Sequence, residues 1–325
     1  MANTPRTCDR MNALYPTDVD LSSLTGQGLV RLRTALASHL RMTPLLSLNV
    51  PTPFGVLPVI AKLDLLQVTG SFKVRGALAG VMGTPSSTVV ACTGGNHGLG
   101  IAHAAQALGR RAVIFAPQGA AETKLSRMRA LGAEVRQPSD DMIATFEAAL
   151  AFTQAADLPM VHPYDQAEVI AGQATLGLEL TDQAPWVRQW LVAVGGGGLA
   201  SGLQVAFGGA AEVVPVEPEN CPALAESQRW DTPTLVTSSG LTRTSLGAPS
   251  LGALPWKLLR GHIRPVIQVS EAAIAHAQSW LWQEARLVAE PGGVTALAAL
   301  LSGVFLPEGP VGLILCGSNV DGVMG

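Results

Sequence analysis

The hydrophobic positions of this chain change period repeatedly from about residue 88 onward. Short apolar runs typical of strands cover residues 88–92, 112–116 and 133–136. Between and after them, apolar residues recur at helical spacing over residues 101–108, 122–131 and 143–150. Gly132 closes the second of these helices, and Ser139 is the expected N-cap of the third. This βαβα order predicts a parallel sheet with helices on its faces.

A second series of the same kind begins near Trp190. It predicts a strand over residues 191–194, a helix from Ala200 and a strand over residues 213–216. Prolines interrupt residues 221–262, where we expect a long functional loop with short helices. The chain therefore combines two α/β units.

Composition narrows the classes of protein to consider. Of 325 residues, 48% are hydrophobic and only 14% are charged, so part of the surface should be uncharged or covered by another subunit. We expect a homo-oligomer, namely a dimer. A formal net charge of -3 provides no basic surface for a phosphate backbone, which argues against nucleic acid as a partner.

Residues 189–211 carry no charge and are long enough to cross a bilayer, but they contain seven glycines. That composition indicates a strand, a turn and a helix start in a soluble core, so no membrane is expected. Residues 1–10 have no apolar segment of a secretion signal, which predicts a cytoplasmic protein. The four cysteines are far apart, without metal-ligand spacing, so we expect neither disulfides nor a zinc site.

Four consecutive glycines, Gly195 to Gly198, stand between an apolar strand and a helix and are followed by Leu199. Backbone N–H groups at such a helix start favour an anion, of which phosphate is the natural example. Gly195, Gly197 and Ala200 also match G-x-G-x-x-A, and Glu217 ends the next strand, as in dinucleotide-binding units. This segment alone leaves a nicotinamide cofactor and a simpler phosphate as alternatives.

Two further segments carry reactive groups. Lys73 lies between small residues in Ser71-Phe72-Lys73-Val74-Arg75-Gly76-Ala77, and a buried lysine with a lowered pKa forms a Schiff base with an aldehyde. Cys92-Thr93-Gly94-Gly95-Asn96-His97-Gly98 joins a strand to a helix, where exposed N–H groups suit a carboxylate and the Asn96 amide suits a phenolic oxygen. His97 has no partner at ligand spacing, so a metal role is not expected.

Together with Cys316-Gly317-Ser318-Asn319, these motifs resemble the fold-type II pyridoxal phosphate enzymes, most closely the serine/threonine dehydratases (threonine ammonia-lyases). Supporting segments follow the family's order from about residue 43 to 320, among them Thr43-Pro44-Leu45 and Glu290-Pro291-Gly292-Gly293. The resemblance implies a two-domain α/β enzyme like the tryptophan synthase β chain, with parallel sheets flanked by helices. A small domain of residues 88–160 would be inserted into a larger cofactor-binding domain of residues 1–87 and 161–325.

The resemblance also implies a role for each matching residue. Lys73 would be the catalytic lysine that carries the cofactor, and Cys316 would face the pyridine nitrogen. The residues placed against pyridoxal 5'-phosphate are Phe72, Lys73, Asn96, Gly195, Gly196, Gly197, Gly198, Leu199 and Cys316. Those placed against the carboxylate of an amino-acid substrate are Thr93, Gly94, Asn96 and His97. A thiol offers no negative charge to keep a proton on the pyridine nitrogen.

The reaction that the resemblance implies is β-elimination. L-threonine or L-serine would give 2-oxobutanoate or pyruvate and ammonia, with the Lys73 amine removing the α-proton. The alternatives are racemisation or β-replacement on the same cofactor, a cofactor-binding relative without catalysis, and a nicotinamide-dependent oxidoreductase.

Two positions depart from related enzymes. Metal-dependent relatives such as serine racemase have an aspartate six residues after the glutamate of Val216-Glu217-Pro218, where this chain has Ala223, so no divalent metal is expected. The racemase also has a serine proton donor just before Gly-Asn-His, where this chain has Gly94. Without a side chain there, elimination should outrun racemisation.

Overall fold

The computed structural model describes residues 24–320 of the chain. Cys8 and the segment 1–10, from which a cytoplasmic location is predicted, lie outside this range. Within it, Cys92, Cys221 and Cys316 are free thiols.

Helices and strands alternate along most of the chain. The helices are α1 Gly26–Leu36, α2 Lys73–Met82, α3 Asn96–Ala107, α4 Glu122–Ala130, α5 Met142–Ala156, α6 Ala167–Gln183, α7 Gly198–Phe207, α8 Ala223–Trp230, α9 Arg243–Leu246, α10 Ala253–Leu259, α11 Glu271–Ala285 and α12 Pro291–Leu301. The strands are β1 Leu45–Thr52, β2 Gly55–Lys62, β3 Thr88–Cys92, β4 Arg111–Phe115, β5 Glu134–Arg136, β6 Gln189–Ala193, β7 Glu212–Pro218, β8 Ile267–Val269 and β9 Val311–Ile314. Two 3₁₀ turns, Asp64–Leu66 and Val68–Gly70, precede α2.

The strands form two sheets. Six of them lie in the order β1-β2-β9-β6-β7-β8, where only the β1–β2 hairpin is antiparallel. The other sheet is parallel, in the order β3-β4-β5. After α5 the chain returns beside β3, where Val161 N donates to Val90 O over 2.9 Å. The α/β class is confirmed, whereas the division into domains of residues 88–160 and the remainder stays a prediction.

The predicted elements correspond closely to the observed ones. Strand β3 has the predicted bounds, the other predicted strands agree within two residues at each end, and three short helices interrupt residues 221–262. The β1–β2 hairpin was not predicted. The expectation that Ser139 caps α5 is wrong, because Asp141 is the N-cap and its side chain accepts from Ala144 N over 2.8 Å. Ser139 lies two residues earlier, and its hydroxyl accepts from Asp141 N.

The uncharged stretch 189–211 contains β6, a glycine turn and α7, as predicted. Within residues 24–320, no helix is both long enough and apolar enough to cross a membrane.

Helix α2 belongs to the hydrophobic cluster of the small sheet. Its buried residues Val74, Ala77 and Leu78 pack in one cluster with residues of β3, α3, β4 and α4. A second cluster fills the space between the large sheet and α11 and α12, and a third packs α7 against the opposite side of β6. Burial of these apolar surfaces is the main favourable contribution to folding.

The other side of α2 is fixed by ion pairs without solvent contact. The Arg75 guanidinium donates to both carboxylate oxygens of Asp64, over 2.9 and 2.7 Å, and to Glu179 Oε1 over 2.7 Å. Lys62 Nζ donates to Glu179 Oε2 over 2.8 Å. Arg75, Lys62 and Asp64 are all 0% exposed. The network joins α2 to strand β2, the turn after it and helix α6.

We predict that Arg75→Met lowers the free energy of unfolding of the cofactor-free protein by about 3–5 kcal/mol, because two buried carboxylates lose their shared cation. The matched control is Arg33→Met, which breaks the partly exposed pair between Arg33 and Asp182. It should cost less than about 1 kcal/mol. Urea unfolding followed by circular dichroism measures both values. Similar losses in the two variants would contradict this role of the buried pairs.

Candidate active site

Lys73 is the first residue of α2, and its side chain is half-buried. Its Nζ donates to Pro163 O over 3.0 Å and lies 5.1 Å from the centre of the Phe72 ring. Burial lowers the pKa of the Lys73 amine to about 8, although the nearby Glu290 carboxylate opposes this shift. A substantial fraction of the amine is therefore unprotonated, and so nucleophilic, slightly above neutral pH.

The glycine loop after β6 presents a row of unpaired amides. Within residues 24–320, no acceptor pairs with the backbone N–H groups of residues 195–199. The loop packs tightly on its other side, where a Cβ on Gly196 would collide with the Tyr164 ring and one on Gly195 would lie 2.8 Å from Leu246 O. Gly197 has a φ of +91°, which favours glycine. Because these amides stand at the N-terminus of α7, the loop suits a phosphate.

The loop after β3 offers a second set of amides at the N-terminus of α3. Thr93 N donates to Phe115 O and the Thr93 hydroxyl accepts from Gly95 N, which fixes the turn. The N–H groups of Gly94, Asn96 and His97 have no acceptor within the described range. This arrangement suits a carboxylate, as the sequence predicts.

His97 is a buried neutral residue rather than a metal ligand. Its Nε2 lies 3.0 Å from Val161 O, and its Nδ1 has no partner in the described part of the chain. Burial, with a contribution from the positive Lys73, lowers the pKa of His97 to about 3. The side chain therefore holds the start of α3 in place without carrying charge.

Cys316 lies two residues beyond β9 and is 4% exposed. Its carbonyl oxygen accepts from Phe72 N over 3.0 Å, which brings the thiol segment beside the lysine segment. Burial raises the pKa of the Cys316 thiol, so the thiol is neutral. It can therefore face a pyridine nitrogen without drawing a proton onto it.

Glu290 is the residue whose contribution was missed in the sequence. It is 5% exposed, and its Oε1 accepts from Asn96 Nδ2 over 2.5 Å. The sequence does contain a local signal that Glu290 stands at a helix start, because Pro291 follows it and proline is common at the first position of a helix. The contact with Asn96 spans 194 residues of sequence and has no local signal.

Residues 243–246, which form α9, close over the loops. A Cβ on Gly95 would lie 3.3 Å from Thr244 O. A Cβ on Gly195 or on Gly292 would also lie close to Leu246. The short helix therefore packs against the loop after β3, the loop after β6 and the start of α12.

The Glu217 carboxylate is engaged by backbone N–H groups of α8. Glu217 is 0% exposed, and its carboxylate accepts from Leu224 N and Ala225 N over 2.9 Å each, at the start of α8. Its oxygens are therefore not available to a ribose hydroxyl. Among residues 24–320, no group of three histidine, cysteine or acidic side chains is placed to hold a metal ion.

An amine with a lowered pKa and loops of unpaired amides at helix starts are groups that suit an aldehyde cofactor with a phosphate. A model of the family of pyridoxal-phosphate dependent enzymes matches residues 36–317, and the chain belongs to that family. Pyridoxal phosphate is therefore its cofactor, and the nicotinamide alternative is not supported. The donor set fits this group, with an amine, two loops of unpaired amides and a neutral thiol.

Comparison with known proteins gives the same family. The chain is 34% identical to the L-threonine ammonia-lyase of Thermotoga maritima, over 81% of this chain and 67% of that one. It is 31% identical to the serine racemase of Rattus norvegicus, over 88% and 90% of the two chains. The crystal structure of T.th. threonine deaminase superposes with a TM-score of 0.84 and 32% identity, covering 92% of this chain and 99% of that one.

We predict that pyridoxal phosphate attaches to Lys73 in the cofactor-free protein with a rate that rises with pH around a midpoint near 8, since only the unprotonated amine attacks the aldehyde. Stopped-flow absorbance measures the rate. After borohydride reduction, peptide mapping should find the adduct on Lys73 and not on the other lysines, Lys62, Lys124 and Lys257. A midpoint near the ordinary value of 10.5, or an adduct elsewhere, would contradict the assignment.

Proposed function

We propose that this enzyme eliminates water from L-threonine, L-serine or both, and releases 2-oxobutanoate or pyruvate together with ammonia. The observation that carries the proposal is the half-buried Lys73 amine, which donates to Pro163 O over 3.0 Å, in a chain with two loops of unpaired amides at helix starts. The similarity to the L-threonine ammonia-lyase and to the threonine deaminase structure supports the same substrate class. The bound cofactor would withdraw electrons from the substrate Cα and make its proton acidic.

Each residue group then has a chemical task. The amides of residues 195–199 would hold the cofactor phosphate, and those of Gly94, Asn96 and His97 the substrate carboxylate. The Lys73 amine would hold the cofactor and, once released, take the proton from the substrate Cα. Positioned general bases of this kind contribute a factor of about 10² to 10⁴ to the rate.

Gly94 favours elimination over racemisation. Racemisation requires a second group that returns a proton to the opposite face of Cα, and Gly94 has no side chain at the position that the racemase uses. A Cβ there would lie 2.5 Å from the Ala120 Cβ, so the position is closed to serine unless Ala120 moves. The neutral Cys316 thiol acts in the same direction, because an unprotonated pyridine ring stabilises a carbanion less well.

The setting of the enzyme belongs to the same proposal. We also propose a homodimer in the cytoplasm. The low charged fraction of 14% supports the dimer, since an uncharged surface suits a subunit contact. Among known classes of partner, a small amino acid fits the two amide loops, whereas a nucleic acid finds no basic surface in a chain of net charge -3.

We predict that the cofactor-loaded enzyme forms 2-oxo acids from L-threonine or L-serine, and that Lys73→Ala lowers kcat by at least about 10²-fold. Lys257→Ala, which changes an exposed lysine on α10, is the matched control and should keep its activity. Turnover should also survive EDTA, because Ala223 supplies no carboxylate for a divalent metal. If no 2-oxo acid forms from either substrate, the proposal is wrong. If EDTA abolishes turnover and magnesium restores it, the expectation that no divalent metal is needed is wrong.

The second prediction concerns the outcome at Cα. In deuterated buffer, the enzyme should convert L-serine to pyruvate much faster than it converts L-serine to D-serine, because Gly94 cannot return a proton. Gly94→Ser combined with Ala120→Gly, which removes the close Cβ, should raise the ratio of D-serine to pyruvate by up to about 10²-fold. Ala120→Gly alone is the control. Chiral chromatography of the remaining serine measures the ratio, and comparable D-serine and pyruvate from the unaltered enzyme would refute the role of Gly94.

A further inference from the structure

A chain of side-chain hydrogen bonds runs from helix α4 to Asn96. Arg127 Nη1 donates to Asn319 Oδ1 over 2.7 Å, and Asn319 Nδ2 donates to Asn96 Oδ1 over 2.9 Å. Asn96 Nδ2 in turn donates to Glu290 Oε1 over 2.5 Å. We call these four residues, Arg127, Asn319, Asn96 and Glu290, the amide relay. They come from four separate segments of the chain.

The contacts of Asn319 fix the direction of the amide relay. A guanidinium can only donate hydrogen bonds, and a backbone carbonyl oxygen can only accept them. Because Arg127 donates to Asn319 Oδ1 and the Thr69 carbonyl accepts from Asn319 Nδ2, the Asn319 amide has a single favourable orientation, which presents its nitrogen to Asn96 Oδ1 and leaves the Asn96 nitrogen facing Glu290. Turning over the Asn96 amide would place its oxygen against the Glu290 carboxylate and its nitrogen against the Asn319 nitrogen. Both contacts would then be lost.

This orientation leaves one donor of Asn96 available. An amide nitrogen carries two N–H groups, and Glu290 engages one of them. Within residues 24–320, the nitrogen has no second acceptor. That remaining N–H is the group that Asn96 can offer to the phenolic 3-oxygen of pyridoxal phosphate.

We propose that Arg127 is a positioning residue, which keeps the Asn96 amide nitrogen turned toward the cofactor by polarising Asn319. The proposal rests on the proposed function only in taking Asn96 as a ligand of the 3-oxygen. It assigns a role in the site to a residue of α4 whose own side-chain hydrogen bonds go to Asn319 and Thr69.

The backbone beside Lys73 is shaped to receive the amide relay. Thr69 and Gly70 have φ angles of +69° and +80°, and left-handed geometry at a threonine is strained. The Thr69 carbonyl accepts from Asn319 Nδ2 over 2.8 Å and from Arg127 Nη2 over 3.4 Å. A Cβ on Gly70 would lie 2.6 Å from Asn319 Oδ1. The strained turn thus packs against Asn319 and helps to hold Arg127 in place.

The first test is spectroscopic and uses the cofactor-loaded enzyme. A hydrogen-bond donor at the 3-oxygen favours the visible-absorbing tautomer of the lysine-bound cofactor over the near-ultraviolet one. Arg127→Met should lower the ratio of visible to near-ultraviolet absorbance by at least about twofold and weaken pyridoxal phosphate binding about 3- to 10-fold. Arg127→Lys keeps a cationic donor and should restore most of both values.

The matched control is Arg129→Met on the same helix. Arg129 pairs with Glu122 at the surface and takes no part in the amide relay. Its spectrum and affinity should equal those of the unaltered enzyme. Because absorbance needs only bound cofactor, this test does not depend on whether the enzyme eliminates, racemises or does neither.

The second test needs no cofactor. The chain has six asparagines, Asn3, Asn12, Asn49, Asn96, Asn220 and Asn319, so selective ¹⁵N-asparagine labelling gives a sparse NMR spectrum of side-chain amides. In the cofactor-free protein, Arg127→Met should shift the side-chain signals of both Asn319 and Asn96, whereas Arg129→Met should shift neither. Asn96→Ala and Asn319→Ala assign the signals.

Two results would overturn the proposal. One is an Arg127→Met enzyme whose absorbance ratio matches that of the unaltered enzyme. The other is an Asn96 amide signal that does not respond to the loss of Arg127. Failure of the proposed function would look different, because the spectral and NMR effects of Arg127→Met would persist in an enzyme that forms no 2-oxo acid.

Discussion

Arg75 lies two residues after Lys73 on α2, and its guanidinium sits without solvent contact between the carboxylates of Asp64 and Glu179. A hydrophobic face alone would let a short helix slide or rotate by small amounts. Paired hydrogen bonds from a planar guanidinium do not, because they fix both distance and angle. The direction in which Lys73 leaves the helix is therefore set by charges on the opposite side of α2.

Helix starts explain how a chain with few charged residues could make the two proposed anion sites. In each of the two sheets, parallel strands bring their carboxyl ends to one edge, and the helices that follow begin there. Residues 195–199 stand at the start of α7, and residues 94–97 at the start of α3, so backbone amides would replace arginines and lysines as donors. Glycine is needed because the Cβ side of each loop is already filled, as by Tyr164 beneath Gly196. The lysine amine remains the one cationic group that the proposed chemistry uses.

How much of this arrangement could be read from the sequence depends on the range of the interaction. Strand β3, helix α4 and the glycine loop have local patterns, and the sequence predicts them well. The role of Glu290 and of Arg127 depends on contacts with Asn96 and Asn319 across 194 and 192 residues, for which no period or motif exists. The wrong prediction of Ser139 as a helix cap has a local cause. Asp141 is an equally good cap residue and stands nearer the first helical turn.

The electrostatics around Lys73 restrict which group can move a proton. Burial lowers the pKa of both His97 and His162 to about 3, and it raises the pKa of the Cys316 thiol. Near neutral pH these three groups therefore stay uncharged, while the Lys73 amine, with a pKa of about 8, changes its protonation state. The Glu290 carboxylate favours the ammonium form of Lys73, but the effect of burial is larger and lowers the pKa. In the proposed reaction the Lys73 amine can remove the α-proton, but the glycine at position 94 offers no side chain with which to return a proton on the other face. In this enzyme, the absence of a side chain at Gly94 and the neutrality of the histidines thus act together to favour departure of the β-substituent.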